Sequence, residues 1–148
     1  MAACSAPPTG GDTWEEINHG LSASDVWALG VSSAFDTDGT LFAGTDGGGV
    51  FRSTDRGDTW HQVNLGLTNT NVFALGVAPT FATDDTLFAG TQGGMFSSTD
   101  RGDTWQEVSQ GMNDRDVRAL GLSPAFATDD TLFAGNKGGG VFRSTNGG

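Results

Sequence analysis

An all-β chain of repeated four-stranded blades is the fold this sequence predicts, and three observations carry it. The octapeptide Ser53-Thr54-Asp55-Arg56-Gly57-Asp58-Thr59-Trp60 recurs letter for letter at residues 98–105, with half copies at 11–14 and 144–147. Trp14, Trp60 and Trp105 stand 46 and 45 residues apart, a period shared by propeller blades and two-helix solenoid units. Between those tryptophans the apolar residues come in short runs bounded by Gly, Asp, Ser or Asn, which is the pattern of strands and turns. A helical solenoid is the poorer reading, because 24 glycines would be too destabilising inside helices.

Four strands are expected in the first complete repeat: residues 26–31, 40–45, 49–54 and 59–64. The first two are apolar on both faces, as strands sandwiched between neighbouring sheets should be. Ala28 and Gly30 in the first strand suit a crowded axis, where another backbone comes close. Asp-rich turns (Asp36 and Asp38, Asp84 and Asp85, Asp129 and Asp130) join strands one and two in each repeat. Four short antiparallel strands at this period make a β-propeller blade. Residues 26–64 and 72–109 form two blades, and 117–145 supply strands one to three of another. Residues 13–18 read as an isolated fourth strand, and residues 1–12 as a leader and linker around Pro7-Pro8-Thr9-Gly10-Gly11.

The octapeptide reads as the hairpin between strands three and four. Asp55 is expected to accept backbone N–H groups two residues on, as in an Asx-turn. Gly57 supplies a positive φ, Ser53 and Thr59 close the turn through their hydroxyls, and Trp60 buries a ring between blades. Ser98, Asp100, Gly102, Thr104 and Trp105 repeat these roles. The pattern Ser-x-Asp-x-Gly-x-Thr-Trp resembles the Asp-box, the bacterial neuraminidase repeat of sialidases, sortilin-type receptors, some glycoside hydrolases and photosystem II assembly-factor propellers. The resemblance covers nearly the whole chain from Gly11 onward, with two complete boxes. It departs from the pattern at Pro7 and Thr9 in the first copy and at Asn146 in the last. In that family the box is a structural turn, so the resemblance implies a fold rather than an activity.

The cut of the repeats predicts self-association. A leading fourth strand and trailing strands one to three would together complete one blade, as propellers do when they seal a ring. Three blades' worth of strands fall short of the four to eight usual in a closed propeller, and an open arc would expose apolar faces. With each chain lending its first strand to a neighbour, a homodimer gives six blades and a trimer nine. A head-to-tail contact that fails to close gives a filament. A fragment of a larger propeller would show the same cut.

A net charge of −11 with only seven Lys or Arg residues repels nucleic acid and anionic membranes, so neither is expected as a partner. No apolar run reaches the length of a transmembrane helix. The single cysteine excludes an internal disulfide framework. Its setting, Met1-Ala2-Ala3-Cys4-Ser5, resembles the end of a bacterial lipoprotein signal without the apolar segment upstream. Cys4 therefore reads either as a lipid anchor or as a free thiol in the leader. The expected location is outside the cytoplasm.

Catalysis is not expected. Sialidase chemistry needs a tyrosine nucleophile, and the chain has no tyrosine, although Arg52, Arg118 and Arg143 would allow a basic cluster. A two-carboxylate hydrolase needs a unique acid pair with one raised pKa, whereas most acids here recur at turn positions in every repeat. His19 and His61 are the only histidines and fall in different repeats, so serine, cysteine and zinc chemistry lack partners. Asp36-Thr37-Asp38-Gly39 goes partway to a calcium loop, but the other repeats shift the spacing, and no metal or cofactor is expected. The loops from strand four to one and from strand two to three vary most and should share one side of the blades. On that side Trp27, Phe73 and Arg118 replace one another at the start of strand one and are the candidate ligand contacts. The expected function is a non-catalytic scaffold or interaction module; the alternative is a carbohydrate-binding or glycoside-hydrolase-like propeller fragment.

Overall fold

The computed structural model describes residues 13–22 and 25–148 and shows three antiparallel sheets. The first contains β1 (Val26–Val31), β2 (Leu41–Thr45), β3 (Gly49–Ser53) and β4 (His61–Gln62), in that spatial order. The second repeats it with β5 (Val72–Val77), β6 (Leu87–Thr91), β7 (Gly94–Ser98) and β8 (Gln106–Glu107). The third has β9 (Val117–Leu122), β10 (Leu132–Asn136) and β11 (Gly140–Ser144). These are two complete propeller blades and three strands of another. The leader 1–12, including Cys4, lies outside the described residues.

The first three strands of each blade match the expected ranges to within a residue. The fourth is much shorter than 59–64 suggests, because only Phe51↔Gln62 and Arg52↔His61 pair across it. Beyond them Val63 N–H bonds to Val50 C=O (2.8 Å), and the Asn64 carboxamide accepts Val50 N–H (2.8 Å), so a side chain replaces the ladder. The Asp-rich turns are single helical turns, Phe35–Asp38, Phe81–Asp84 and Phe126–Asp129, ending in left-handed residues Gly39, Asp85 and Asp130. Each starts on a small residue, and each holds an apolar phenylalanine that four-strand pattern reading passes over.

First strands line the inside, where β1 packs on β5 and β5 on β9. Gly30 and Gly76 allow this approach: a Cβ on Gly30 would lie 2.8 Å from Val77 Cγ2, and one on Gly76 2.5 Å from Leu122 Cδ1. The cores lie between sheets. Phe42 and Val50 of the first blade pack with Val72, Phe81, Leu87, Ala89, Phe96 and Trp105 of the second. Phe88 and Met95 of the second pack with Val117, Phe126, Leu132 and Ala134 of the third. Phe42 meets Phe81 edge-on at 5.8 Å, and Phe88 meets Phe126 in the same way at 5.7 Å.

Candidate functional site

The box turns are held by a closed set of bonds that repeats at both copies. Ser53 Oγ accepts Gly57 N–H (2.8 Å) and donates to Asp55 (2.8 Å), while Asp55 accepts Thr59 N–H (2.8 Å) and Thr59 Oγ1–H (2.5 Å). Ser98, Asp100, Gly102 and Thr104 make the same bonds. The aspartate thus grips the residue four positions on, not two as an Asx-turn would, because Gly57 (φ 94°) and Gly102 (φ 91°) turn the chain back onto the carboxylate. Trp60 and Trp105 are buried as expected, and each indole donates across to the preceding outer segment, at Ile17 C=O and Val63 C=O (both 2.8 Å).

The Thr59 hydroxyl, followed by its N–H, holds the Asp55 carboxyl at about 2. At Asp100 burial pushes upward, but the Thr104 hydroxyl and N–H and the Ser98 hydroxyl outweigh it, and the pKa is lowered. Folded values below unfolded ones mean that the boxes stabilise fully above about pH 4 and lose that contribution as pH falls from there toward about 2. The melting temperature followed by circular dichroism should therefore drop across this window. The Asp55→Asn/Asp100→Asn variant should start lower at pH 7 and fall less steeply; an equal slope would detach these carboxylates from acid sensitivity.

Two arginines, Arg101 of the second box and Arg52 just before the first, tie the blades. Arg101 lies 4.8 Å over the Phe81 ring, pairs with Asp85 (3.0 Å), and reaches back to Asp38 (3.4 Å) and Thr40 (3.2 Å) of the first blade. Arg52 reaches forward to Asp103 (2.7 Å) and Arg101 C=O (2.8 Å). With Arg52 held there and Arg118 paired to Asp116 (2.7 Å), the two do not gather into a carboxylate-binding cluster with Arg143. Arg56, at the first box position matching Arg101, stays within its own blade, bonded to Asp36 C=O (2.8 Å) and lying 5.0 Å over Phe35, so recurrence in the sequence does not reveal the tie. Asp38 spends its carboxylate on Ser32 Oγ–H (2.7 Å) and Thr40 N–H (2.9 Å), so the calcium-like turn closes on itself.

The variable loops do share a side. Asp46 N–H bonds to Asp25 C=O, Gln92 N–H to Asn71 C=O, and Lys137 N–H to Asp116 C=O, each joining loop two–three to loop four–one. The structure brings Trp27, Phe73 and Arg118 together there. Trp27 and Phe73 stack at 4.6 Å with 29° between planes, and the Arg118 guanidinium lies 4.0 Å from the Phe73 centroid. Together they line an open concavity. The Asp116 bond raises the Arg118 pKa, so this group stays a cation.

Two further surfaces carry unsatisfied packing. On the first blade Val26, Leu29, Val31 and the whole of Trp14 are exposed. On the last, Val141 is 75% exposed and Phe133 41%, and between this blade and the second lies a cavity of about 180 Å³. Met95, Val108, Met112, Leu132, Ala134 and Phe142 line it.

No curated protein matches the sequence. Solved structures share the fold: an ancestral GH74 enzyme at 24% identity and TM-score 0.70 aligns with 91% of this chain and 18% of its own. The GH74 enzyme of Niastella koreensis (23%, TM-score 0.62) aligns with 83% of this chain and 21% of its own. The GH74 xyloglucanase from Xanthomonas campestris (21%, TM-score 0.62) aligns with 90% and 21%. The chain therefore spans about a fifth of the length of these proteins, and the likeness is one of fold. Residues 2–140 match the DUF6242 beta propeller domain, and with blade-forming sheets throughout the described part of that range the chain belongs to this β-propeller family.

Proposed function

We propose that this chain is a non-catalytic β-propeller scaffold that associates with further copies of itself and offers the Trp27–Phe73–Arg118 face to a partner. The observation that carries the reading is the pair of apolar end faces, with Leu29 62% and Val141 75% exposed, where between blades the matching Leu75 and Leu120 are half-buried and Val50 and Met95 are buried. Exposed sheet faces of this kind mark interaction surfaces in soluble proteins. The turn chemistry supports an Asp-box reading in which Asp55 and Asp100 serve structure. The acids with displaced pKa values, Asp38, Asp55, Asp100 and Asp116, are all displaced downward, whereas a general acid at neutral pH needs an upward shift. The lipoprotein-like setting of Cys4 supports a place outside the cytoplasm, and labelling of the full protein with a fatty-acid probe, lost in Cys4→Ser, tests the anchor.

Light scattering on a size-exclusion column tests the scaffold reading. The expected species is about twice the 15.2 kDa chain mass, a six-blade ring of two chains. A monomer at all concentrations would overturn it. A second reading, carbohydrate binding, is favoured by the half-exposed Trp27 and by the fold shared with GH74 enzymes. A glycan array decides between them, since a protein-binding scaffold gives no sugar signal and a glycan reader loses its signal in Trp27→Ala.

A further inference from the structure

We infer that the cavity between the second blade and the third is a socket for Trp14 of a second copy of this chain, which lays residues 13–18 along β11 as an outer strand. The inference rests on the self-association proposed above and names the residues that make it. Its basis is that the two interfaces inside the chain are built alike, and the last blade repeats one half of that construction with the other half exposed on the first blade.

Trp105 shows what fills such a socket. It packs among Val50, Val63, Leu67, Leu87, Ala89 and Phe96. The cavity is lined by the residues at the same repeat positions, Met95, Val108, Met112, Leu132, Ala134 and Phe142. Trp14 occupies the repeat position of Trp105 and is fully exposed in its own chain. The backbone repeats the match. Trp60 N–H bonds to His19 C=O and Trp105 N–H to Leu65 C=O (both 2.9 Å); the next acceptor in the series is Gln110 C=O, and the next donor is Trp14 of the second copy. Gly20 and Gly66 are pressed against the carbonyls of Trp60 and Trp105, whereas Gly111 has nothing within 4 Å. Likewise Gly49 lies against Asn64 and Gly94 against Ser109, but the space at Gly140 is open where Asn18 of a second copy would come. Glu15 of that strand would stand opposite Arg143, as His61 stands opposite Arg52.

The inner strands agree. Gly44 receives Val72 (2.7 Å) and Gly90 receives Val117 (2.6 Å), while Gly135 meets only its own sheet's Ala119 and is free for Val26 of the second copy. Gly30 and Gly76 receive Val77 and Leu122; Gly121 has nothing within 4 Å and fits the exposed Leu29 and Val31. The glycine vacancies and exposed apolar groups thus fall in the register of the internal repeat, which a second copy of this chain supplies and an unrelated protein does not. The contact is heterologous, the head of one chain on the tail of the next.

Two variants test it by sedimentation equilibrium of the whole chain. Trp14→Ala removes an exposed side chain, and Gly121→Val adds atoms where the lone chain is empty, so both should keep the wild-type circular dichroism spectrum and melting curve in dilute solution. Each should weaken association by about 30-fold or more, as loss of a buried aromatic anchor does. A head-to-tail contact also predicts complementation: mixing the two restores one intact interface, so the mixture should associate where neither variant does alone. Wild-type-like association of both variants would overturn the socket while leaving self-association standing. Two monomeric variants that stay apart when mixed would overturn the head-to-tail pairing. A monomeric wild type would overturn the underlying reading with it.

Discussion

Trp105→Ala should lower the unfolding free energy by about 3–5 kcal/mol, measured by urea denaturation in dilute solution. The indole is buried to 5% exposure within a cluster drawn from two blades, and its N–H is the cross-blade bond to Val63 C=O. Removing it opens a cavity, strands a carbonyl and loosens the sheet-to-sheet contact in one change. Trp60→Ala should do less, because among the described residues Trp60 packs into the smaller cluster of Ala43 and Phe51, drawn from one sheet. Trp14→Ala should shift the monomer by no more than about 0.5 kcal/mol, as surface changes do. Three tryptophans in one sequence motif thus give a graded series set by what each one faces. Equal effects would mean that the ring's own turn, rather than the interblade core, provides the stabilisation.

Phe42→Ala and Phe88→Ala should each cost about 3–5 kcal/mol, while Phe133→Ala in the same Thr-Leu-Phe-Ala-Gly context should cost the monomer about 1 kcal/mol or less. Phe42 is 0% exposed, Phe88 1% and Phe133 41%, since only the first two have a following blade with Phe81 or Phe126 against them. Chemical denaturation well below the association range reads the difference directly. At concentrations where the chain self-associates, the Phe133 variant should instead be the one whose mass falls. An equally large effect in the monomer would show that the third blade's core is closed within one chain.

Much of this architecture is legible in the amino-acid sequence. Trp14, Trp60 and Trp105 marked the period, and Ser53, Asp55, Gly57 and Thr59 the turn, because both depend on groups close together in the chain. Trp27, Phe73 and Arg118 could be aligned as substitutes for one another, but their stack could not, since adjacent first strands bring together residues about 45 positions apart. The helical turns at Phe35, Phe81 and Phe126 were missed because four-residue turns leave no periodic signal. The short fourth strand was overread: at Asn64 and Ser109 side-chain oxygens take the ladder's N–H, and alternation cannot reveal that exchange.

By itself the sequence determined the repeat, the strand order within a blade and the box turn, all of which rest on local hydrogen bonding and on which residues tolerate a turn. Only the tertiary structure decided which copy of each repeated residue is buried. Burial is a property of the neighbouring sheet, so identical segments acquire different environments in the middle and at the ends of the array. The same packing leaves open space at Gly111, Gly121 and Gly140 at one end of the array and Trp14, Leu29 and Val31 exposed at the other.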